Sequence, residues 1–377
     1  MTFVTLISTT ETGRANVISW NEKMPGSIKV LRLQYDQINE SNTFNSGDIV
    51  EGRVLLEVTK NLTVDSLFVK FTGGAKVYWT EGESKYHDHE RYFKLKQDLT
   101  PGRSGKERQI ISPGRHVLPF KFQLPEQNLP PSFKEKVSGF NCWIRYALTA
   151  KLKRPFKSAS TAYAELTFVP RSHVTNDHLL KPQNRTDKMK NTFSSGKISL
   201  TATTDKTGYM LGETIKVCVD IDNASSRDAK LKYSLKQQQM FIASRTTKRS
   251  KHIIQETSDC IPSGEKRRFL VNIKLPRDIM VSFENCRIIR VLYLLKVSLD
   301  VSFASDPAVK FPVVIIPPLQ QCPPWQDPPP PYMPPQPVPH PGGAPPPFAR
   351  LYDPVPPNPG AAAGLPGSPF GFVSTSL

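Results

Sequence analysis

The sequence predicts an all-β protein: two tandem antiparallel β-sandwiches of immunoglobulin-like type, followed by a disordered proline-rich tail. Three observations predict it. Apolar and polar residues alternate with period two through the first 316 positions, the pattern of strands with one face buried. Several motifs of the first half recur in the same order in the second half. Of 36 prolines, 22 fall in the last 61 residues, where they leave little to bury and remove backbone donors.

The strands are read from the alternation. Phe120-Lys121-Phe122-Gln123-Leu124 is one, and Ile144, Tyr146, Leu148, Ala150 and Leu152 mark a second. Ile215, Val217, Val219 and Ile221 mark a third, and Phe269, Val271, Ile273 and Leu275 a fourth. Helical periodicity is scarce, and Gly and Pro punctuate the runs at intervals that suit sandwiches.

The duplication is equally concrete. Ser46-Gly47-Asp48-Ile49-Val50 is echoed by Leu211-Gly212-Glu213-Thr214-Ile215. Phe122-Gln123-Leu124-Pro125, with Ser132-Phe133 downstream, is echoed by Ile273-Lys274-Leu275-Pro276 with Ser282-Phe283. Ile144-Arg145-Tyr146-Ala147-Leu148 is echoed by Val291-Leu292-Tyr293-Leu294-Leu295. The offsets are 165, 151 (then 150) and 147 residues, too long for a solenoid repeat and right for a repeated domain.

These readings place an N-terminal extension at 1–27, a first sandwich at 28–170, a linker at 171–195, a second sandwich at 196–316 and the tail at 317–377. The extension is either a flexible segment or an added edge strand. The linker is polar, basic and poor in large apolar groups.

The chain has a formal net charge of +17. The last 61 residues carry only Asp327, Arg350 and Asp353, so the charge resides in the body. A basic body favours anionic partners: acidic lipid, an acidic or phosphorylated peptide, or nucleic acid. No recognition helix, zinc finger or RNP signature accompanies the charge, so nucleic acid is not expected. The basic residues Lys230, Lys232, Lys236, Arg245, Lys248, Arg249 and Lys251 form a candidate anion-binding patch, and ten more lie between Lys151 and Leu200.

Neither a signal peptide nor a membrane-spanning run is expected. Five widely spaced cysteines (Cys142, Cys218, Cys260, Cys286 and Cys322) suit free thiols in a reducing cytoplasm, and the sequons at Asn61 and Asn184 then carry no glycan. His87-Asp88-His89-Glu90 lacks the further ligands a metal centre needs and reads as a polar loop. Gly102-Arg103-Ser104-Gly105-Lys106-Glu107 is not a phosphate loop, because Thr100 stands at the first glycine and Glu107 at the magnesium-binding hydroxyl. No nucleophile–base motif stands out. A non-enzymatic protein without a cofactor is expected.

The tail carries Pro329-Pro330-Pro331-Tyr332. A Pro-Pro-x-Tyr tetrapeptide is pre-ordered in the polyproline conformation, so aromatic grooves such as those of WW domains bind it with little loss of entropy. The last three residues, Thr375, Ser376 and Leu377, fit a C-terminal ligand for a PDZ-type groove.

Taken together, the chain resembles the arrestin-domain-containing proteins, or α-arrestins. The resemblance rests on Ser46-Gly47-Asp48-Ile49-Val50-Glu51-Gly52-Arg53-Val54, on Gly114-Arg115-His116 leading into Phe120–Pro125, and on Gly196-Lys197-Ile198-Ser199-Leu200. It continues through Gly208-Tyr209-Met210-Leu211-Gly212-Glu213 and Cys286-Arg287-Ile288-Ile289-Arg290-Val291. The resemblance implies a pair of arrestin-like sandwiches in an adaptor for membrane-protein trafficking. Such an adaptor recruits a HECT-type ubiquitin ligase through WW domains and binds receptor or transporter cargo through its body. It works in the cytoplasm, peripherally associated with plasma membrane and endosomes. The positions that would contact the ligase are Pro329, Pro330 and Tyr332. The chain departs from relatives with two such motifs: Pro356-Pro357-Asn358-Pro359 lacks the tyrosine. One WW contact alone is typically micromolar or weaker, and a second adds avidity. The buried charge cluster and phosphate-sensing elements of the visual and β-arrestins find no match. The alternative is a structural scaffold in a trafficking coat, as in the arrestin-like retromer subunit, without ligase recruitment.

Overall fold

The computed structural model describes residues 5–9, 15–19, 26–100, 108–171, 177–190, 196–301 and 306–317. The first half contains β1 (Thr5–Thr9), β2 (Ala15–Ser19), β3 (Ile28–Asp36), β4 (Thr43–Phe44), β5 (Ile49–Val58), β6 (Leu62–Val64), β7 (Ser66–Glu81), β8 (Ser84–Asp98), β9 (Gln109–Ile111), β10 (Gly114–Gln123), β11 (Phe133–Val137), β12 (Phe140–Arg154) and β13 (Lys157–Phe168). A one-turn helix, α1 (Asp177–Leu180), follows. The second half contains β14 (Gln183–Lys190), β15 (Gly196–Thr204), β16 (Gly208–Met210), β17 (Thr214–Ser225), β18 (Ala229–Ile242), β19 (Thr246–Ile261), β20 (Lys266–Lys274), β21 (Ile289–Val301) and β22 (Ala308–Ile316).

The two halves share one topology. One sheet runs β1-β2-β3-β5-β10 in the first half and β14-β15-β17-β20 in the second. The other runs β4-β13-β12-β7-β8 in the first and β16-β22-β21-β18-β19 in the second. In each half the last strand also pairs in parallel with a short early one, β13 with β4 and β22 with β16. Two-tandem-sandwich architecture is therefore what the sequence predicts.

The echoed motifs do the same structural work twice. Gly47 and Gly212 take left-handed φ of 81° and 80°, the region glycine enters without a Cβ penalty. They turn the chain into β5 and β17, and the next residues, Asp48 and Glu213, accept the backbone N–H of Leu124 and Leu275, each at 2.9 Å. Ser132 grips β13, its N–H donating to Phe168 O at 2.9 Å and its Oγ accepting from Phe168 N at 2.9 Å. Ser282 grips β22 in the same way, through Ile315 at 2.7 and 2.8 Å. Tyr146 donates its hydroxyl to Pro130 O at 2.7 Å, and Tyr293 donates to Met280 O at 2.5 Å. A buried phenol needs such an acceptor, because an unpaired one would lose its bond to water with nothing in return.

Alternation places the core. On β12 and β21 the inward residues Ile144, Tyr146, Leu148, Val291, Tyr293 and Leu295 are buried, while their neighbours face out. Gly52 is needed for packing: a Cβ there would lie 2.2 Å from Gln34 O and 2.5 Å from the Phe120 ring.

Two stretches differ from expectation. The segment 171–195, read as a linker, contains α1 and β14, and β14 pairs along β15 from Gln183↔Thr204 to Lys190↔Lys197. Its polarity is that of an edge strand, which needs only backbone partners on one side. Of the two readings for 1–27, the described residues take the strand form: β1 and β2 form a hairpin that adds to β3 through Ile18↔Gln34 and its neighbours.

Candidate functional site

Pro329, Pro330, Pro331 and Tyr332, and Thr375, Ser376 and Leu377, lie outside the described residues. The seven basic residues of the predicted patch all sit on the β18–β19 hairpin, and the structure divides them. Lys230, Lys232 and Lys236 occupy β18 positions opposite Asp300, Ser298 and Leu294 of β21, the register that faces away from the core. Lys232 is paired with Asp300 at 2.6 Å. Lys248 lies in the same outward register opposite Met240, and Lys251 is exposed on β19.

The two arginines are engaged elsewhere. Arg245 reaches Glu81 of the first sandwich at 2.8 Å. Arg249 binds Glu135 at 3.2 Å and lies over the Phe140 ring at 4.9 Å. They are seam residues, because the far end of the β18–β19 hairpin meets β11 and β12. There Phe241 packs on Phe140 edge-to-face at 4.8 Å and on Phe133 at 6.0 Å, and Phe283 lies 6.2 Å from Phe133.

The His87–Glu90 stretch belongs to the same seam. It lies on β8, not in a loop, and its acids hold the segment before β21. Arg287 donates to Asp88 Oδ2 at 2.9 Å, and its backbone N–H donates to Glu90 Oε2 at 3.0 Å. The Arg287 hydrogen bond holds the Asp88 carboxyl below its ordinary value of 3.8. Asn285 adds bonds to Asn128 O and Oδ1 at 3.0 and 2.9 Å. Among the described residues no three His, Cys, Asp or Glu side chains converge as a metal site would need.

Cys142, Cys218, Cys260 and Cys286 carry free thiols. Burial pushes the Cys142 thiol up to about 11 and raises Cys286 as well. Near neutral pH both stay protonated, the unreactive form.

A second basic surface escaped the sequence reading. The outward face of the first sandwich gathers Lys70 of β7, Lys94 and Lys96 of β8, and Lys151 and Lys153 of β12. Lys70 sits directly opposite Lys96, and their ammonium groups lie 5.2 and 4.6 Å from the centre of the Phe68 ring, which they cover. Partial burial, and then the charges of Lys94, Lys151, Lys153 and Lys96, pull the Lys70 pKa down. These lysines are far apart in sequence, and only strand pairing unites them. The available signal was the period-two spacing at 94/96 and 151/153, which puts each pair on one face.

The same face has a depression of about 560 Å³. Its floor is small, Thr72, Gly74 and Ala147, and its walls include Lys76, Trp143 and Tyr163. Arg145 stacks over Trp143 at 4.7 Å and reaches Glu165 at 3.1 Å. The face as a whole can hold anions by delocalised attraction. Nothing in it sets a nucleophile beside a base.

Residues 31–174 match the family description "Arrestin (or S-antigen), N-terminal domain", and residues 194–319 match "Arrestin (or S-antigen), C-terminal domain". Arrestin domain-containing protein 4 of Mus musculus is 30% identical over 305 residues, covering 77% of this chain and 72% of that protein. The Homo sapiens protein of the same name is 30% identical over 306 residues with the same coverage. Thioredoxin-interacting protein of Homo sapiens is 26% identical over 290 residues, covering 72% of this chain and 71% of that protein. With the paired sandwiches, these matches lead to one conclusion: the chain belongs to the arrestin-domain-containing, or α-arrestin, family of adaptor proteins.

Proposed function

We propose that this chain is a membrane-trafficking adaptor that brings a WW-domain HECT-type ubiquitin ligase to receptor or transporter cargo, promoting its ubiquitination, endocytosis and endosomal sorting. Pro329, Pro330 and Tyr332 dock the ligase, and the paired sandwiches grip the cargo. The adaptor works in the cytoplasm, peripherally on plasma membrane and endosomes.

The observation that carries this reading is a Pro-Pro-x-Tyr tetrapeptide in the same chain as an arrestin body, in a segment holding 22 of its 36 prolines. Only 11 residues separate Pro317, the last described residue, from Pro329. A tether of that length keeps a bound ligase at an effective concentration on the order of millimolar beside the body. The adaptor redirects chemistry and performs none.

The test is Tyr332→Ala in the full-length chain. WW-domain capture and ubiquitination of co-purifying membrane proteins should both fall, while the set of membrane proteins bound stays the same. Unchanged capture and ubiquitination would overturn the reading.

A further inference from the structure

The β12–β13 hairpin ends in an arrangement that folding does not explain. Arg154 pairs with Lys157, so Pro155 and Phe156 form the turn. Phe156 is 99% exposed and takes a φ of 56°. After a proline, that left-handed turn position is ordinarily filled by glycine or asparagine, and a bulky side chain is disfavoured there. The ring covers no core. Its one described ring contact is the Arg108 guanidinium at 5.9 Å.

The surroundings are cationic. Lys153 and Lys157 are exposed beside the turn, and Arg154 flanks it, its guanidinium donating to Ser160 Oγ at 3.2 Å. Behind the turn, successive rows of the sheet place Lys151 opposite Phe68 and Lys70 opposite Lys96. Two carboxylates stand against these cations, Asp98 at 2.7 Å from Lys96 and Asp65 at 3.8 Å from Arg108, and the basic residues outnumber them.

We propose that this hairpin end is a membrane-docking site, with Phe156 entering the interfacial layer of a bilayer containing anionic lipid while Lys153, Arg154, Lys157 and the lysines of the adjoining sheet face meet the headgroups. The combination of groups selects the partner. An acidic peptide would use the lysines, but it gives no apolar layer to an aromatic ring that is 99% exposed at the tip of a turn. A bilayer interface accepts both, because aromatic rings settle at headgroup depth and each basic residue near an anionic surface adds attraction. Lysines spread over three strands also suit a surface of many mobile phosphates better than one fixed ligand. The inference deepens the membrane part of the proposed function and needs neither ligase nor cargo. Its failure would leave the Tyr332 reading standing, and the failure of that reading would leave this one standing.

The experiment is sedimentation of the full-length chain with phosphatidylcholine vesicles, with and without phosphatidylserine. Wild type should bind only the phosphatidylserine vesicles, less so as salt rises. Phe156→Ser should weaken binding about tenfold or more, from the lost apolar burial. Lys153→Glu with Lys157→Glu should weaken it at least as much, at about fivefold per basic residue. Leu270→Ser, which removes an exposed apolar side chain on β20, should change nothing. Phe156→Trp should add a component of tryptophan emission that shifts to the blue and is quenched by brominated lipid in phosphatidylserine vesicles. Absence of phosphatidylserine-dependent binding would overturn the proposal. So would wild-type binding by Phe156→Ser with an unchanged melting temperature, and so would binding to a polyglutamate peptide without binding to vesicles.

Discussion

The seam between the sandwiches rests on an aromatic contact whose energy can be isolated. Phe241 is fully buried, and its ring meets Phe140 edge-to-face at 4.8 Å with an interplanar angle of 83°. Such a pair contributes about 0.5–1.5 kcal/mol beyond its buried area. Phe241→Ala should cost about 3–5 kcal/mol in all, most of it from the cavity. Phe140→Ala should cost less, because Phe140 is only partly buried and packs at the edge of the core. In a double-mutant cycle the two changes should couple by about 1 kcal/mol, a factor of roughly five in the unfolding constant. Urea titration followed by tryptophan emission is the assay, since Trp79 lies 6.5 Å from Phe140 and reports on that end of the first sandwich. A coupling within the roughly 0.3–0.5 kcal/mol scatter of independent sites would refute the reasoning, and the seam would then be mere juxtaposition. A real coupling should also separate the unfolding of the two sandwiches in the double variant more than in wild type.

Two further outcomes follow from buried or paired titratable groups. Burial raises the Tyr293 phenol from 10.0 to about 12, so unfolding releases a proton in that window; stability is complete below pH 10 and falls by about 1.4 kcal/mol per pH unit up to about 12, and Tyr293→Phe should flatten that part of an alkaline denaturation curve. Arg287 holds the Asp88 carboxyl low, so the pair stabilises above the ordinary value of 3.8 and the benefit is lost as pH falls through the depressed value; Arg287→Ala should bring the Asp88 titration, read by NMR, back up towards 3.8.

The fold was legible because each echoed motif is fixed by local chemistry that must occur twice. Gly47 and Gly212 make the same left-handed turn, and Tyr146 and Tyr293 each hang a phenol on a backbone carbonyl. β14 was illegible for the opposite reason. Gln183 to Lys190 forms an edge strand held through its backbone, so its side chains carry no alternation to read. The candidate surfaces were half legible. A run of basic residues on one hairpin is visible in sequence, but the carboxylates that claim Arg245 and Arg249 lie more than a hundred residues away, on Glu81 and Glu135. Lys70 and Lys96 become neighbours only through the pairing of β7 with β8.

The parallel strand at the edge of each sandwich bears on how the protein is made. β4 waits for β13, and β16 waits for β22, so neither domain can close until its own final strand has left the ribosome. The first can finish once Phe168 emerges, while the second needs Ile316. A nascent chain halted between those points would carry one completed sandwich beside a second whose β16-β22-β21-β18-β19 sheet is unfinished, a natural substrate for chaperones.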